Sequence, residues 1–296
     1  MKVLVTGASG LIGSALVSRL REAHDVVRLT RSERRGPGEF RWDPQSGEID
    51  SAAFDEVDAV VHLAGESVAG RWTEGKKRRI RDSRVLGTRL IAETAAGRES
   101  GPRVIVCASA IGYYGARGDE PVTEASAPGE GFLAGVVREW EGAAEPARAA
   151  GIRVVHVRFG VVQSPRGGAL RTQLPLFRFG LGGRIGNGRQ YVSWVAIDDV
   201  VRAIEHALGS ERLSGPANVT APAPVTNATY ARTLGRVVRR PALLPAPAPA
   251  VRLVLGEFAG EVLTGQRVLP ERMLADGFEF RHPELEGALR HVLGRN

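Results

Sequence analysis

The first thirteen residues constrain the fold more than any other stretch. The apolar run Lys2-Val3-Leu4-Val5-Thr6 passes directly into Gly7-Ala8-Ser9-Gly10-Leu11-Ile12-Gly13 and then into a helical pattern. A short β-branched run predicts a strand. Glycines spaced G-x-x-G-x-x-G between a strand and a helix permit a tight turn, close approach of backbone to a phosphate, and close packing of the helix. The free amides and partial positive charge at that helix's N-terminus favour an anion. The loop therefore predicts a dinucleotide-binding turn, with Gly7, Ser9, Gly10, Leu11, Ile12 and Gly13 around the phosphates.

The same rhythm continues through the first half of the chain. Apolar runs at 2–6, 25–30, 59–63, 103–108 and 152–157 predict strands, and the intervals leave room for helices at 11–22, 73–96 and 131–150. Strands that are apolar throughout are covered on both faces, so the pattern predicts an α/β fold, a Rossmann-type doubly wound parallel sheet. After residue 159 the rhythm changes to a Gly- and Arg-rich stretch. It carries a helix near 170–180, a loop over 182–188, a strand over 191–197, and Asp198 placed to cap a helix running to 208. A short strand near 218–219, a helix near 227–238 and a Pro/Ala segment at 241–249 follow. This predicts a dinucleotide-binding domain over 1–165, to which the strand and helix of 190–208 return, and a smaller C-terminal α/β cap over 166–296.

Composition narrows the function classes. Hydrophobic residues at 43% and charged residues at 25% are ordinary for a globular chain. The net charge of +7 suggests nucleic acid, but the basic residues are spread along the chain and nearly all are arginine, the lysines being Lys2, Lys76 and Lys77. The expected reading excludes nucleic acid as a partner. No apolar run approaches the roughly 18 residues that cross a bilayer, and the N-terminus enters a strand without a signal-peptide core. The single cysteine, Cys107, lies in an apolar strand and makes no internal disulfide. These features predict a cytoplasmic protein without a membrane partner. The six histidines show no metal-ligand spacing, so no metal site is expected. A homodimer stays open.

At the end of the second strand, where an NAD-binding site usually places Asp or Glu for the ribose hydroxyls, the chain reads Leu29-Thr30-Arg31-Ser32. An arginine there pairs with a 2′-phosphate, with Arg34 or Arg35 as helpers, so charge complementarity predicts NADP(H) as cofactor. The third strand ends His62-Leu63-Ala64-Gly65, small residues at the carboxyl edge of the sheet, with His62 read as a packed strand residue.

These residues, with Arg71-Trp72-Thr73, Ser83-Arg84-Val85, Ser109-Ala110-Ile111-Gly112-Tyr113-Tyr114-Gly115, Arg158-Phe159-Gly160, Trp194-Val195-Ala196-Ile197-Asp198-Asp199 and Gln266-Arg267-Val268-Leu269-Pro270, resemble one family. It is the extended short-chain dehydrogenase/reductase group, and within it the atypical epimerase-like proteins with a small C-terminal domain. The resemblance implies NADP(H) held by Thr6 and the glycine loop, by Thr30 and Arg31, by Leu63, Ala64, Gly65 and Glu66, and by Arg84 and Arg158. Catalysis in that superfamily uses Tyr-x-x-x-Lys, in which the ammonium lowers the phenol's pKa from about 10. This chain lacks the pair. Where the motif should open the long helix, the aligned residues are Phe132 and Val136 or Leu133 and Val137. Tyr114 and Ser109 remain the preferred catalytic polar groups, with Arg138 or Arg84 as cationic partners.

Two readings follow. One is an NADP(H)-dependent oxidoreductase or epimerase-like enzyme acting on a small carbonyl or hydroxyl compound. The other is a non-catalytic, NADPH-sensing regulatory protein that binds a partner.

Overall fold

The computed structural model describes residues 1–32 and 36–295. One sheet contains β1 (Lys2–Thr6), β2 (Asp25–Thr30), β3 (Glu39–Asp43), β4 (Glu48–Ile49), β5 (Ala59–His62), β6 (Val104–Ala110), β7 (Arg153–Phe159) and β8 (Gly215–Val219). Their spatial order is β8-β7-β6-β5-β1-β2-β3-β4. Every pairing is parallel except that of β3 with β4. The chain leaves β1 toward β2 and later returns to its other side as β5. The carboxyl ends of β1 and β5 therefore form the topological switch point, the crevice where open α/β sheets bind ligands.

The strands are apolar on both faces because both are covered. Val3, Val5, Val61, Val106 and Val155 pack against Leu16, Val17 and Leu20 of α1 (Leu11–Leu20). Val200, Ala203 and Ile204 of a helix at Ile197–Gly209 complete that layer. On the opposite face Leu4, Val60, Ile105 and Val154 meet Ile91, Ala92 and Ala95 of α2 (Glu74–Ala96). Burying each such Val, Leu or Ile is worth about 1.5–3 kcal/mol.

Several elements differ from the expected ones for local reasons. The helix expected over 131–150 is two: α3 (Phe132–Gly142) and a short helix at Glu145–Ala149. Pro146 has no amide to donate, and its ring clashes with the carbonyl four residues earlier, at Gly142, so the first helix stops there. The strand expected over 191–197 is broken at Ser193. Tyr191–Val192 pairs with Val225–Thr226, and Trp194–Ala196 pairs with Val161–Gln163. Asp198 is not the cap of the next helix, whose N-cap is Ala196; it lies in the first turn. The strand expected near 218–219 runs from Gly215 and forms the edge of the main sheet as β8. The β3–β4 hairpin was not expected.

The C-terminal segments are built into the rest. Leu170, Leu174 and Phe177 gather with Tyr230, Ala231, Leu234, Leu285 and Leu289 around the fully buried Trp194. Met273 and Phe278 join the core of the main sheet. Among the described residues no helix is long and apolar enough to cross a membrane.

Candidate functional site

The glycine loop is forced by contact. Gly7 has φ +67°, and a Cβ there would lie 2.7 Å from the Leu63 carbonyl carbon. A Cβ on Gly13 would lie 2.2 Å from the Gly7 oxygen. Gly7 thus lets the ends of β1 and β5 approach, and Gly13 seats α1 on the turn. Gly10 is the N-cap of α1 with no side chain to satisfy the first amides, which leaves them for an anion.

Thr6 acts beneath this loop. Its hydroxyl accepts the amides of Leu63 and Ala64 at 3.1 and 3.2 Å and lies 2.7 Å from His62 Nδ1. Burial pushes the His62 imidazole down to about 4, so it is neutral at physiological pH.

A cleft of about 530 Å³ opens over this edge. It is lined by Gly7, Ser9 and Gly10, by Thr30 and Arg31, and by Leu63, Ala64, Gly65 and Glu66. Nine of the expected residues thus converge on one cavity. Thr6 and Gly13 support it from below. Leu11 and Ile12 offer their helix-start amides while their side chains turn elsewhere, Leu11 toward Gly167 and Ile12 into the core. Arg34 and Arg35 lie outside the described residues. Trp42, Asp43, Pro44 and Gln45 of the unexpected hairpin form another wall, with Ser83 from α2.

Arg84 and Arg158 do not line this cleft. Arg84 donates to the carbonyls of Glu66 and Ile80 at 2.9 and 3.0 Å, lies over the Trp140 ring, and is pushed down to about 10 by burial. It holds the 63–66 loop against α2. Glu66 is fixed by Lys76 at 2.6 Å, and the ion pair holds its carboxyl below the usual range, with further help from Arg79 and Arg31.

Arg158 belongs to a second, buried assembly. Parallel register sets Ser109, Arg158 and Asn218 side by side on β6, β7 and β8. Glu141 of α3 accepts two bonds from Arg158, at 2.8 and 2.7 Å, and one from Ser109 at 2.6 Å. Arg158 also donates to the Tyr114 hydroxyl at 3.0 Å and stacks on Tyr113, 3.5 Å from the ring centre. Tyr114 donates to Asn218 Oδ1 at 2.8 Å. Burial pushes the Tyr114 phenol up to about 12, against the opposing charge and bond of Arg158. Burial works against Glu141 ionisation too, but the Arg158 bonds and charge prevail and hold its carboxyl below the usual range. Arg138 makes none of these contacts. Phe132 packs edge-to-face against Trp72, and Val136 and Val137 are buried, so the aligned Tyr-x-x-x-Lys positions are packing residues. Glu141 and Asn218 gave no sequence signal, since only the fold brings them beside Arg158.

Asp198, His282 and His291 meet on the surface, with donor atoms within 4.8 Å of one another. Separations of 84 and 9 residues hide this cluster from any spacing rule. His291 Nε2 lies 2.9 Å from Asp198, and the two imidazoles stack at 4.2 Å. The group fastens the C-terminal helix and shares no residue with the cleft.

The family model described as "NAD dependent epimerase/dehydratase family" matches residues 3–219, spanning both assemblies. The chain belongs to that family. A second model, "Domain of unknown function (DUF1731)", matches residues 246–292. Within the family, "Epimerase family protein Mb2239" of Mycobacterium bovis is 46% identical over 296 residues, covering 99% of this chain and 98% of that protein. "Epimerase family protein YfhF" of Bacillus subtilis is 35% identical over 299 residues, covering 99% and 98%. The crystal structure of human epimerase family protein SDR39U1 (isoform 2) with NADPH superposes with a TM-score of 0.92 at 35% identity, each chain fully covered.

Proposed function

We propose that this family member binds NADP(H) in the β1–β5 cleft and serves hydride exchange with a small carbonyl or hydroxyl compound. The observation that carries the cofactor preference is Arg31. It lines the cleft at the end of β2, where an acid would accept ribose hydroxyls. A guanidinium there matches a 2′-phosphate in charge and fork geometry. The fit extends along the cleft: only glycine is tolerated at 7 and 13, and the start of α1 offers uncapped amides. The human relative solved with NADPH supports the same reading.

A bound nicotinamide supplies the hydride chemistry itself. The chain's part is to bind, orient and polarise. Tyr114 stays a neutral phenol far above physiological pH, and both it and Ser109 are already bonded within the protein. Proton exchange by a tyrosine-lysine pair has no equivalent among these side chains.

Thermal unfolding with NADPH, NADP⁺, NADH and NAD⁺ tests the binding. A ligand at 100 times its Kd stabilises by about 2.7 kcal/mol. The expected result is a shift with the phosphorylated cofactors that Arg31→Asp removes while leaving the unliganded transition in place. Equal shifts with all four nucleotides would refute the preference.

A specific observation favours a second reading, that of an NADPH sensor: the polar groups of the buried assembly satisfy one another. It predicts NADPH binding without NADPH oxidation across a carbonyl panel, and a protein partner retained differently with and without NADPH. Turnover with any panel member would rule it out.

A further inference from the structure

Two long stretches of the C-terminal half contain neither Asp nor Glu. Residues 161–197 carry five arginines and no acid, and residues 212–256 carry six arginines and no acid. The fold brings them together. The Leu244 amide donates to the Gly182 carbonyl, the Ala246 amide to Arg184, and Arg240 Nε to the Arg178 carbonyl, so segments 178–186 and 240–246 run side by side. At this seam stand Phe179 and Leu243, each 80% exposed, with the exposed Leu176, Leu181 and Leu244. The helix at Ala248–Leu255 follows directly and has no buried residue; its Leu253 and Val254 are 76% and 69% exposed. Among the described residues, nearly all the exposed large apolar side chains lie in this one region.

Within these stretches Arg212 and Arg236 pair with Asp276 and Glu286, but the arginines at the seam do not. Arg19, Arg81, Arg98, Arg103 and Arg148 each pair with a carboxylate. No described carboxylate pairs with Arg171, Arg178, Arg184, Arg239 or Arg240, all of them exposed; Arg171 and Arg240 bond only to backbone carbonyls. Exposed arginines without a described carboxylate partner occur elsewhere too, among them Arg21, Arg78 and Arg138, but none of those has an exposed large apolar residue as its chain neighbour. Here unpaired cations coincide with protruding apolar side chains.

We infer that this face docks on an anionic lipid bilayer surface, Phe179, Leu181, Leu243 and Leu244 entering the headgroup region while the arginines meet lipid phosphates. Apolar tips ringed by cations are what such a surface attracts, and the attraction falls off within a Debye length. A second copy of the chain is a poor occupant, because a twofold contact places the same patch against itself and sets arginine against arginine. Nucleic acid would engage the cations but leave the leucines without partners.

The test is co-flotation of the full chain with vesicles of phosphatidylcholine alone or containing phosphatidylglycerol, at low and high salt. The expected result is at least about tenfold stronger partition onto the anionic vesicles, lost in Arg178→Glu/Arg240→Glu and weakened in Phe179→Ser/Leu243→Ser. Phe179→Trp should keep partition and show a blue-shifted emission on those vesicles alone. These positions are exposed and outside the cleft, so each variant should keep the parent's unfolding temperature. Equal partition on both vesicle types, or none, overturns the inference. So does self-association abolished by the same variants, or retention on an acidic polypeptide resin without partition onto vesicles.

Discussion

Arg158 and Glu141 are the residues on which the interior depends most. Their side chains are 3% and 13% exposed, so each ion needs the other to offset lost hydration. Glu141→Ala should cost about 3–5 kcal/mol in urea unfolding by stranding the guanidinium, whereas Tyr114→Phe, which removes one hydroxyl from the assembly, should cost only about 1 kcal/mol. A smaller cost for the first than for the second would mean that water reaches Arg158. His156 supplies a pH prediction. It is buried, both ring nitrogens lack partners, and burial pushes it down to about 4 from 6.5, with Glu141 opposing. A depressed histidine pKa means that the unfolded chain takes up the proton first. Stability is therefore full above pH 6.5 and falls as pH drops toward 4, by about 3 kcal/mol from this residue. His156→Leu should be at least as stable at neutral pH and should lose less on acidification, as denaturant titrations at several pH values would report. Legibility at this scale follows the chain. Gly7, Arg31 and Leu63–Glu66 were readable because each sits at a strand end that sequence locates. The partners of Arg84 and Arg158 were not, since long side chains reach contacts that only tertiary packing decides.

At the scale of elements, the first strand, turn and helix form the unit on which the cleft rests. Gly13→Ala places a methyl 2.2 Å from the Gly7 oxygen, and backbone cannot swing aside as a flexible side chain can. The expected outcome is a loss of about 1–3 kcal/mol, in the range of overpacking, together with loss of the NADPH-dependent thermal shift. Gly135→Ala is the contrast: it lies in α3, and a Cβ there meets nothing within 4 Å. It should stabilise by about 0.5–1 kcal/mol through helix propensity alone. β1 matched its expected bounds because an unbroken apolar run marks a strand buried on both faces, and β2 did so although only Val27 and Leu29 of it are buried. The β3–β4 hairpin escaped for the opposite reason. Glu39-Phe40-Arg41-Trp42-Asp43 buries chiefly Trp42 and leaves Arg41 exposed at the sheet edge, so its apolar signal is a single residue deep. Yet Trp42, Asp43, Pro44 and Gln45 wall the cleft, and the least legible strand shapes the nucleotide's surroundings.

Across the whole molecule, two family models meet on one interior. Residues 246–292 match a separate model, but their side chains fill spaces in the part matched by 3–219. Met273 is fully buried against the main sheet, and Arg267–Val268 pairs with Pro121–Val122. Arg272 donates to the Pro216 carbonyl at 2.8 Å, and Ser193 accepts the Val268 amide at 2.9 Å. A region that fills its neighbour's core has little stability of its own, and that neighbour has a cavity without it. The chain should therefore unfold in a single transition whose calorimetric and van't Hoff enthalpies agree. Met273→Ala should lower that one transition by about 2–5 kcal/mol, the usual range for such a buried truncation, without splitting it. If the two parts were instead independent, Met273→Ala would move only one of two resolved transitions, and NADPH would raise only the one belonging to the glycine loop. With a shared interior, NADPH bound at residues 7–13 raises the temperature at which the C-terminal helix melts as well. Hydrogen exchange of the Leu285–Val292 amides with and without NADPH reads that coupling directly, and unchanged protection there would show that the two parts unfold separately.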